Sequence, residues 1–149
     1  MRQAKGVTLI EVMIALAILM ILTTLAYPGY ASYIIRTRRL EGMVALVETM
    51  QQQERYFMRN NRYLDFSAAA PDPDAPQFHA WSGASAARSA YELDGRACPG
   101  QALADCIELH ASPGTAQVGT NFKDPDCGVL MLDSTGRRTA SGTASNCWP

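Results

Sequence analysis

Histidine is scarce in this 149-residue chain: only His79 and His110 occur, and no G-x-S-x-G or H-E-x-x-H pattern and no phosphate-cradling glycine loop accompanies them. The motifs that carry hydrolytic, nucleophilic or metal-assisted chemistry are missing, so the expectation is a non-enzyme without cofactor or metal. An excess of charge of either sign is lacking too. Thirteen Lys and Arg stand against 14 Asp and Glu, a formal charge of −1. That balance excludes a strongly basic nucleic-acid binder and an acidic solvating tail. The length nearly excludes a second full domain.

What is present is distributed unevenly. From Val7 to Tyr27 the only charged residue is Glu11. As a helix this run reaches about 30 Å, the thickness of a bilayer's hydrocarbon core. Two ordinary readings apply. Arg2 and Lys5 with Thr24-Leu25-Ala26 before Tyr27 would suit a secretory signal peptide, and the run alone would suit a plain membrane anchor. Glu11 argues against both. An ionised carboxylate in a spanning helix costs about 2.5–3.5 kcal/mol at the bilayer centre, so it is retained for a partner. A cut after Gly6 would supply one, a cationic α-amine on Val7 one turn away, from the same chain or from a neighbour. Low dielectric strengthens that attraction.

Lys5-Gly6 followed by Val7-Thr8-Leu9-Ile10-Glu11 resembles the class III leader of type IV pilins and type II secretion pseudopilins. The resemblance implies a leader of residues 1–6, cleavage by prepilin peptidase between Gly6 and Val7, and N-methylation of Val7. It assigns to Glu11 the guidance of subunits into a filament. Val7 departs from the family, where Phe is commonest. Pro28 falls where pilins commonly carry a helix-interrupting proline.

Pro28 lacks an amide hydrogen and Gly29 adds freedom, so a break is expected there. Apolar residues then recur at Tyr30, Ile34, Leu40, Met43, Val47, Met50 and Phe57, giving one greasy stripe. The predicted helix spans residues 7–60, with 7–27 as its transmembrane and filament-core part. Arg36, Arg38 and Arg39 read as a solvated or lipid-headgroup collar. Basic residues on both sides of the apolar run leave the positive-inside rule split. Cysteine breaks the tie, because Cys98, Cys106, Cys127 and Cys147 all lie beyond the run and an even count in a short exported domain reads as disulfides. The body therefore belongs outside the cytoplasm.

Residues 61–90 form an irregular connection, with Pro71, Pro73 and Pro76 among turn formers and Tyr63, Phe78 and Trp81 as anchors. From residue 91 to 149 alternation predicts strands at 91–93, 107–111 and 129–132. The last leads into a hairpin whose Gly136 takes the left-handed position. The expected fold is α+β: a long N-terminal helix packed on a small antiparallel sheet of about four strands. Four cysteines allow three pairings; Cys127–Cys147 and Cys98–Cys106 are favoured. Separations of twenty and eight residues lack the close pairs of a zinc site.

The second half also resembles the minor-pilin branch typified by PilE. The matching residues include Glu41-Gly42, Gln53-Glu54-Arg55-Tyr56-Phe57, Asp124-Pro125-Asp126-Cys127-Gly128, Gly136-Arg137-Arg138 and Cys147-Trp148. Cys98 with Cys106, and residues 120–123, look like additions to that pattern. The implied function is a structural minor pilin, placed in the bacterial inner membrane with its C-terminal domain periplasmic and then incorporated into, or priming, a surface pilus. Its implied partners are prepilin peptidase and other pilin subunits met through the N-terminal helix. A type II pseudopilin and a DNA-uptake pilin are the alternatives. The candidates for DNA contact are Arg96, Arg137 and Arg138. Without Arg2 and Lys5, however, 11 basic side chains face 14 acidic ones, so nucleic acid is not expected as a partner.

Overall fold

The computed structural model describes residues 7–69, 78–119 and 121–149, and of residues 25–28 the backbone alone. The leader, Gly6 included, and the prolines at 71, 73 and 76 lie outside the described residues. The chain forms two compact units, residues up to Arg36 and Thr37–Pro149. One helix, α1 (Leu9–Asn60), contributes to both.

Two residues later than predicted, α1 begins where Thr8 can cap it. The Thr8 hydroxyl accepts the Glu11 amide at 3.4 Å, and Glu11 Oε2 accepts the Thr8 amide at 3.3 Å. This reciprocal arrangement satisfies amides that a helix start leaves without intrahelical partners. At the other end Asn61 adopts φ 53° and donates to the Phe57 carbonyl at 2.8 Å, a left-handed cap of the kind Asn tolerates. The helical assignment runs through Pro28 and Gly29; the predicted break falls on the segment whose side chains are not described. In the first unit the large apolar side chains from Val7 to Leu22 are exposed. Neither stretch beside residues 25–28 is by itself long and apolar enough to cross a membrane; Leu9–Thr24 with Gly29–Asn60 qualifies by length and composition only.

In the second unit, the latter part of α1 packs on a four-stranded antiparallel sheet in the order β1 (Tyr91–Ala97), β2 (Ile107–Pro113), β3 (Leu130–Asp133) and β4 (Arg138–Ala140). Alternation puts Tyr91 and Leu93 of β1, Ile107, Leu109 and Ala111 of β2, and Leu130 and Leu132 of β3 against the helix. Register pairs Leu93 with Ala111 and Leu109 with Leu132, so the apolar sets align across strands. Gly136 takes φ 85° in the β3–β4 turn, the conformation the hairpin requires.

The helix stripe differs from the prediction. Met43, Leu46 and, in part, Met50 and Phe57 face the core, but Leu40, Val44 and Val47 are exposed, while Arg39, Thr49 and Gln53 are buried. Apolar spacing misplaced the stripe because three of its members are polar, and of these Arg39 and Gln53 are buried through partners distant in sequence. Gln53 donates through Nε2 to the Leu64 carbonyl at 2.6 Å and accepts the Leu64 amide at 3.1 Å, standing in for a peptide group. Gly42 lets the helix approach β1: a Cβ there would lie 3.0 Å from the Tyr91 ring.

Residues 61–69 and 78–90, the described parts of the connection, cover the outer edge of the sheet. Phe66 bridges to Gly95 and Trp81 to Glu92 along β1, and Tyr63, Phe66 and Phe78 are buried. Disulfides join Cys98 to Cys106 across the β1–β2 loop and Cys127 to Cys147, each with Cα atoms 5.5 Å apart. The second brings the chain end past β4, where the Trp148 indole donates to the Thr139 carbonyl at 2.8 Å. Both sheet edges are thereby occupied in part, as unpaired edges otherwise invite association.

Candidate functional site

In the first unit the sequence singled out Val7 and Glu11. Val7 is largely exposed. Among the described residues Glu11 is held by Thr8, whose hydroxyl also donates to Oε2 at 3.3 Å. The Thr8-x-x-Glu11 spacing is a capping signature, so this second duty of Glu11 was open to sequence reading and was missed. A partner amine for Glu11 would therefore compete with a local, exposed hydrogen-bond pair.

Arg39 is the largest departure from the collar reading. Its guanidinium meets Asp124 through two bonds, Nε to Oδ2 and Nη2 to Oδ1, both 2.7 Å, with Asp126 at 3.8 Å. The Tyr91 hydroxyl donates to the same carboxylate at 2.8 Å and the Cys127 amide at 3.2 Å. Burial pushes Asp124 up, but the Arg39, Tyr91 and Cys127 hydrogen bonds outweigh it and hold the carboxyl below its usual range. The Asp124 hydrogen bond raises Arg39, and burial first, then Asp124, raises the Tyr91 phenol. The cluster locks α1, β1 and the start of the disulfide loop together. Arg38, by contrast, is half-exposed and pairs with Glu41 at 2.9 Å.

The three arginines proposed for DNA do not form one track. Arg137 and Arg138 are sequential in an extended hairpin and point to opposite faces. Arg137 bonds Asp133 at 2.9 Å and lies 4.0 Å from Glu108. On the same face Arg96 lies against His110, with Nη2 2.8 Å from Nδ1, and His110 Nε2 lies 2.7 Å from Glu108. Asp94 shares this face; burial pushes its carboxyl up, with His110 and Arg96 opposing. Burial pushes Asp133 up, yet bonds from the Thr135 hydroxyl and from Arg137 hold it below the usual carboxylate range. Arg96 and Arg137 are thus already engaged with their own neighbours.

Arg138 lies on the helix side, its guanidinium carbon 5.6 Å from the Trp148 ring centre, a cation–π distance. With Trp148 and Pro149 it walls one side of a cleft of about 290 Å³ whose other side is Leu40, Met43, Val44, Val47 and Glu48. This apolar groove beside an exposed helix ridge was invisible to a reading that buried Leu40 and Val47. Among the described residues no cluster of His, Cys, Asp and Glu could hold a metal.

The family described as "Type IV minor pilin ComP, DNA uptake sequence receptor" matches residues 28–131, and a prokaryotic N-terminal methylation motif matches residues 1–27. The type IV major pilin protein PilA of Myxococcus xanthus (strain DK1622) is 35% identical over 63 residues, 42% of this chain and 29% of that protein. The match thus spans under a third of that relative's length. A type IV pilin structure from Shewanella oneidensis is 26% identical with a TM-score of 0.48, covering 77% of this chain and 98% of the other. The Neisseria meningitidis non-core minor pilin PilV is 21% identical with a TM-score of 0.47, covering 78% and 95%. These matches do not bear on the finer resemblance to a PilE branch. The expectation against nucleic acid loses its support, because the matched family's own description is a DNA receptor and charge balance averages over surfaces that the fold separates.

Proposed function

The chain belongs to the type IV minor pilin ComP family, and from that premise we propose that it enters the inner membrane by its apolar helix, with the C-terminal domain in the periplasm. Prepilin peptidase then cuts it between Gly6 and Val7 and methylates Val7, and the processed chain joins a pilus. The observation that carries this reading is the methylation-motif match over residues 1–27, on a segment whose only charge past Gly6 is Glu11. Exposed apolar side chains from Val7 to Leu22 need cover. In the membrane lipid supplies it; in a filament neighbouring helices do. Glu11 gives up its Thr8 contacts for a neighbour's α-amine, an exchange favoured in low dielectric. Immunodetection in sheared filaments tests the proposal: the chain appears there in normal cells, and in cells without the peptidase it stays uncut in the membrane fraction. Equal recovery from filaments of both strains contradicts it.

A second reading concerns the exposed domain, which contacts DNA during uptake. The family description over residues 28–131 favours it. Retention of the full chain on DNA at about 50 mM salt, with steep loss by about 200 mM, is the expected behaviour. Retention indifferent to salt, or none, contradicts it.

A further inference from the structure

The cations expected to meet DNA are engaged elsewhere, so the free ones decide where a polyanion can sit. Arg38, Arg39 and Arg137 have carboxylate partners, Arg96 lies on His110, and Arg138 lies on Trp148. In the Thr37–Pro149 unit this leaves Arg55, Arg59, Arg62, Arg88 and Lys123 without a carboxylate partner among the described residues. Three of these five fall within eight positions at the end of α1. Between Glu54 and Asp65 the chain reads Arg-Tyr-Phe-Met-Arg-Asn-Asn-Arg-Tyr-Leu, with no acid.

The local geometry keeps these charges available. Arg55 and Arg59 are one turn apart on the same exposed face, with Cβ atoms about 6 Å apart. Arg59 donates through Nε to the Arg55 carbonyl at 3.3 Å, and neither of its Nη groups has a protein partner among the described residues. Glu54, beside Arg55, is occupied by the Tyr63 hydroxyl at 2.9 Å, and Asp65, three positions past Arg62, is exposed and forms no ion pair among the described residues. Asn61, at φ 53°, ends the helix and places exposed Arg62 just past it. A helix C-terminus gains from one cation in its last turn. That accounts for Arg59, but not for Arg55 before it or Arg62 beyond it.

We propose that the Arg55–Arg59–Arg62 end of α1 takes backbone phosphates of DNA, a contact that rests on the DNA reading above. Guanidinium forks suit phosphate oxygens. Phosphate contacts of this kind fix orientation without reading bases. The surface therefore supplies affinity and salt dependence, and any sequence preference arises elsewhere.

The test is binding of the full-length chain in detergent to a short labelled DNA duplex across a salt series. Beside it run the triple variants Arg55→Gln/Arg59→Gln/Arg62→Gln and Arg55→Lys/Arg59→Lys/Arg62→Lys, and the double variant Arg96→Gln/Arg137→Gln. Each lost phosphate contact removes about 0.9 from the slope of log K against log salt, so the Gln triple is expected to flatten it by about 2.7. The Lys triple and the Arg96/Arg137 double are expected to keep most of it. If the unaltered chain binds with salt dependence and the Gln triple matches it, this surface is excluded while the DNA reading stands. If the unaltered chain shows no salt-dependent binding, the DNA reading fails and this contact fails with it.

Discussion

Arg39 and Asp124 stand 85 positions apart and meet through two hydrogen bonds of 2.7 Å, with the Tyr91 hydroxyl on the same carboxylate. The pair joins the helix to the segment that leads into Cys127, so α1 and the loop closed by a disulfide hold each other in place. A buried pair adds little over a well-packed apolar substitute, but removing one partner strands the other's charge.

Asp124→Ala is accordingly expected to destabilise the domain by about 3–5 kcal/mol. Denaturant unfolding under oxidising conditions measures this. A loss below about 1 kcal/mol would show that Arg39 finds water or Asp126 instead.

The same carboxylate sets an acid limit. Asp124 and Asp133 titrate lower in the folded state than in the unfolded chain. Their contribution is complete above the unfolded value of about 3.9 and is lost as pH falls through the folded values. Tyr91 works at the other end: its raised phenol contributes below about 10 and the contribution is lost as pH rises beyond that. Stability against pH is expected to be flatter below about 4 in Asp124→Asn, and flatter above about 10 in Tyr91→Phe, than in the unaltered protein. Unchanged slopes would contradict these assignments.

Glu11 has two separable duties. In the cap, Glu11 reaches back to Thr8, whose own N-cap role is worth about 0.5–2 kcal/mol of local helix stability. As the proposed assembly charge it is expected to govern incorporation. Thr8→Ala removes much of the first and spares the second, while Glu11→Gln removes the charge. Counting each variant in sheared filaments, with peptidase cleavage checked by mass, is expected to show near-normal entry for Thr8→Ala and a severe defect for Glu11→Gln. Equal defects would reduce Glu11 to a cap.

Cys147→Ser opens a loop whose ends are twenty residues apart and frees Trp148 from the β4 edge. A loss of about 3 kcal/mol is expected from chain entropy. An unchanged melting temperature under oxidising conditions would contradict a stabilising bridge.

What sequence reading reached and what it missed divide on physical lines. The four strands followed from period-two alternation, and Gly136 was placed because a hairpin needs a positive φ there. The helix ended at Asn60 as expected. The buried face of α1 was misjudged because Arg39 and Gln53 are buried through partners 85 and 11 positions away, and hydropathy counts them as outward. Arg137 and Arg138 were grouped because they are adjacent, yet adjacency in a strand means opposite faces. Apolar periodicity finds surfaces that water avoids; it cannot see which polar groups are satisfied elsewhere.

The most direct measurement is the intact mass and first residue of the chain recovered from filaments. The account predicts a start at methylated Val7, with Glu11 as the fifth residue. A start at Tyr27 would contradict it, since Glu11, the carboxylate proposed to guide assembly, would have been discarded with the cleaved segment.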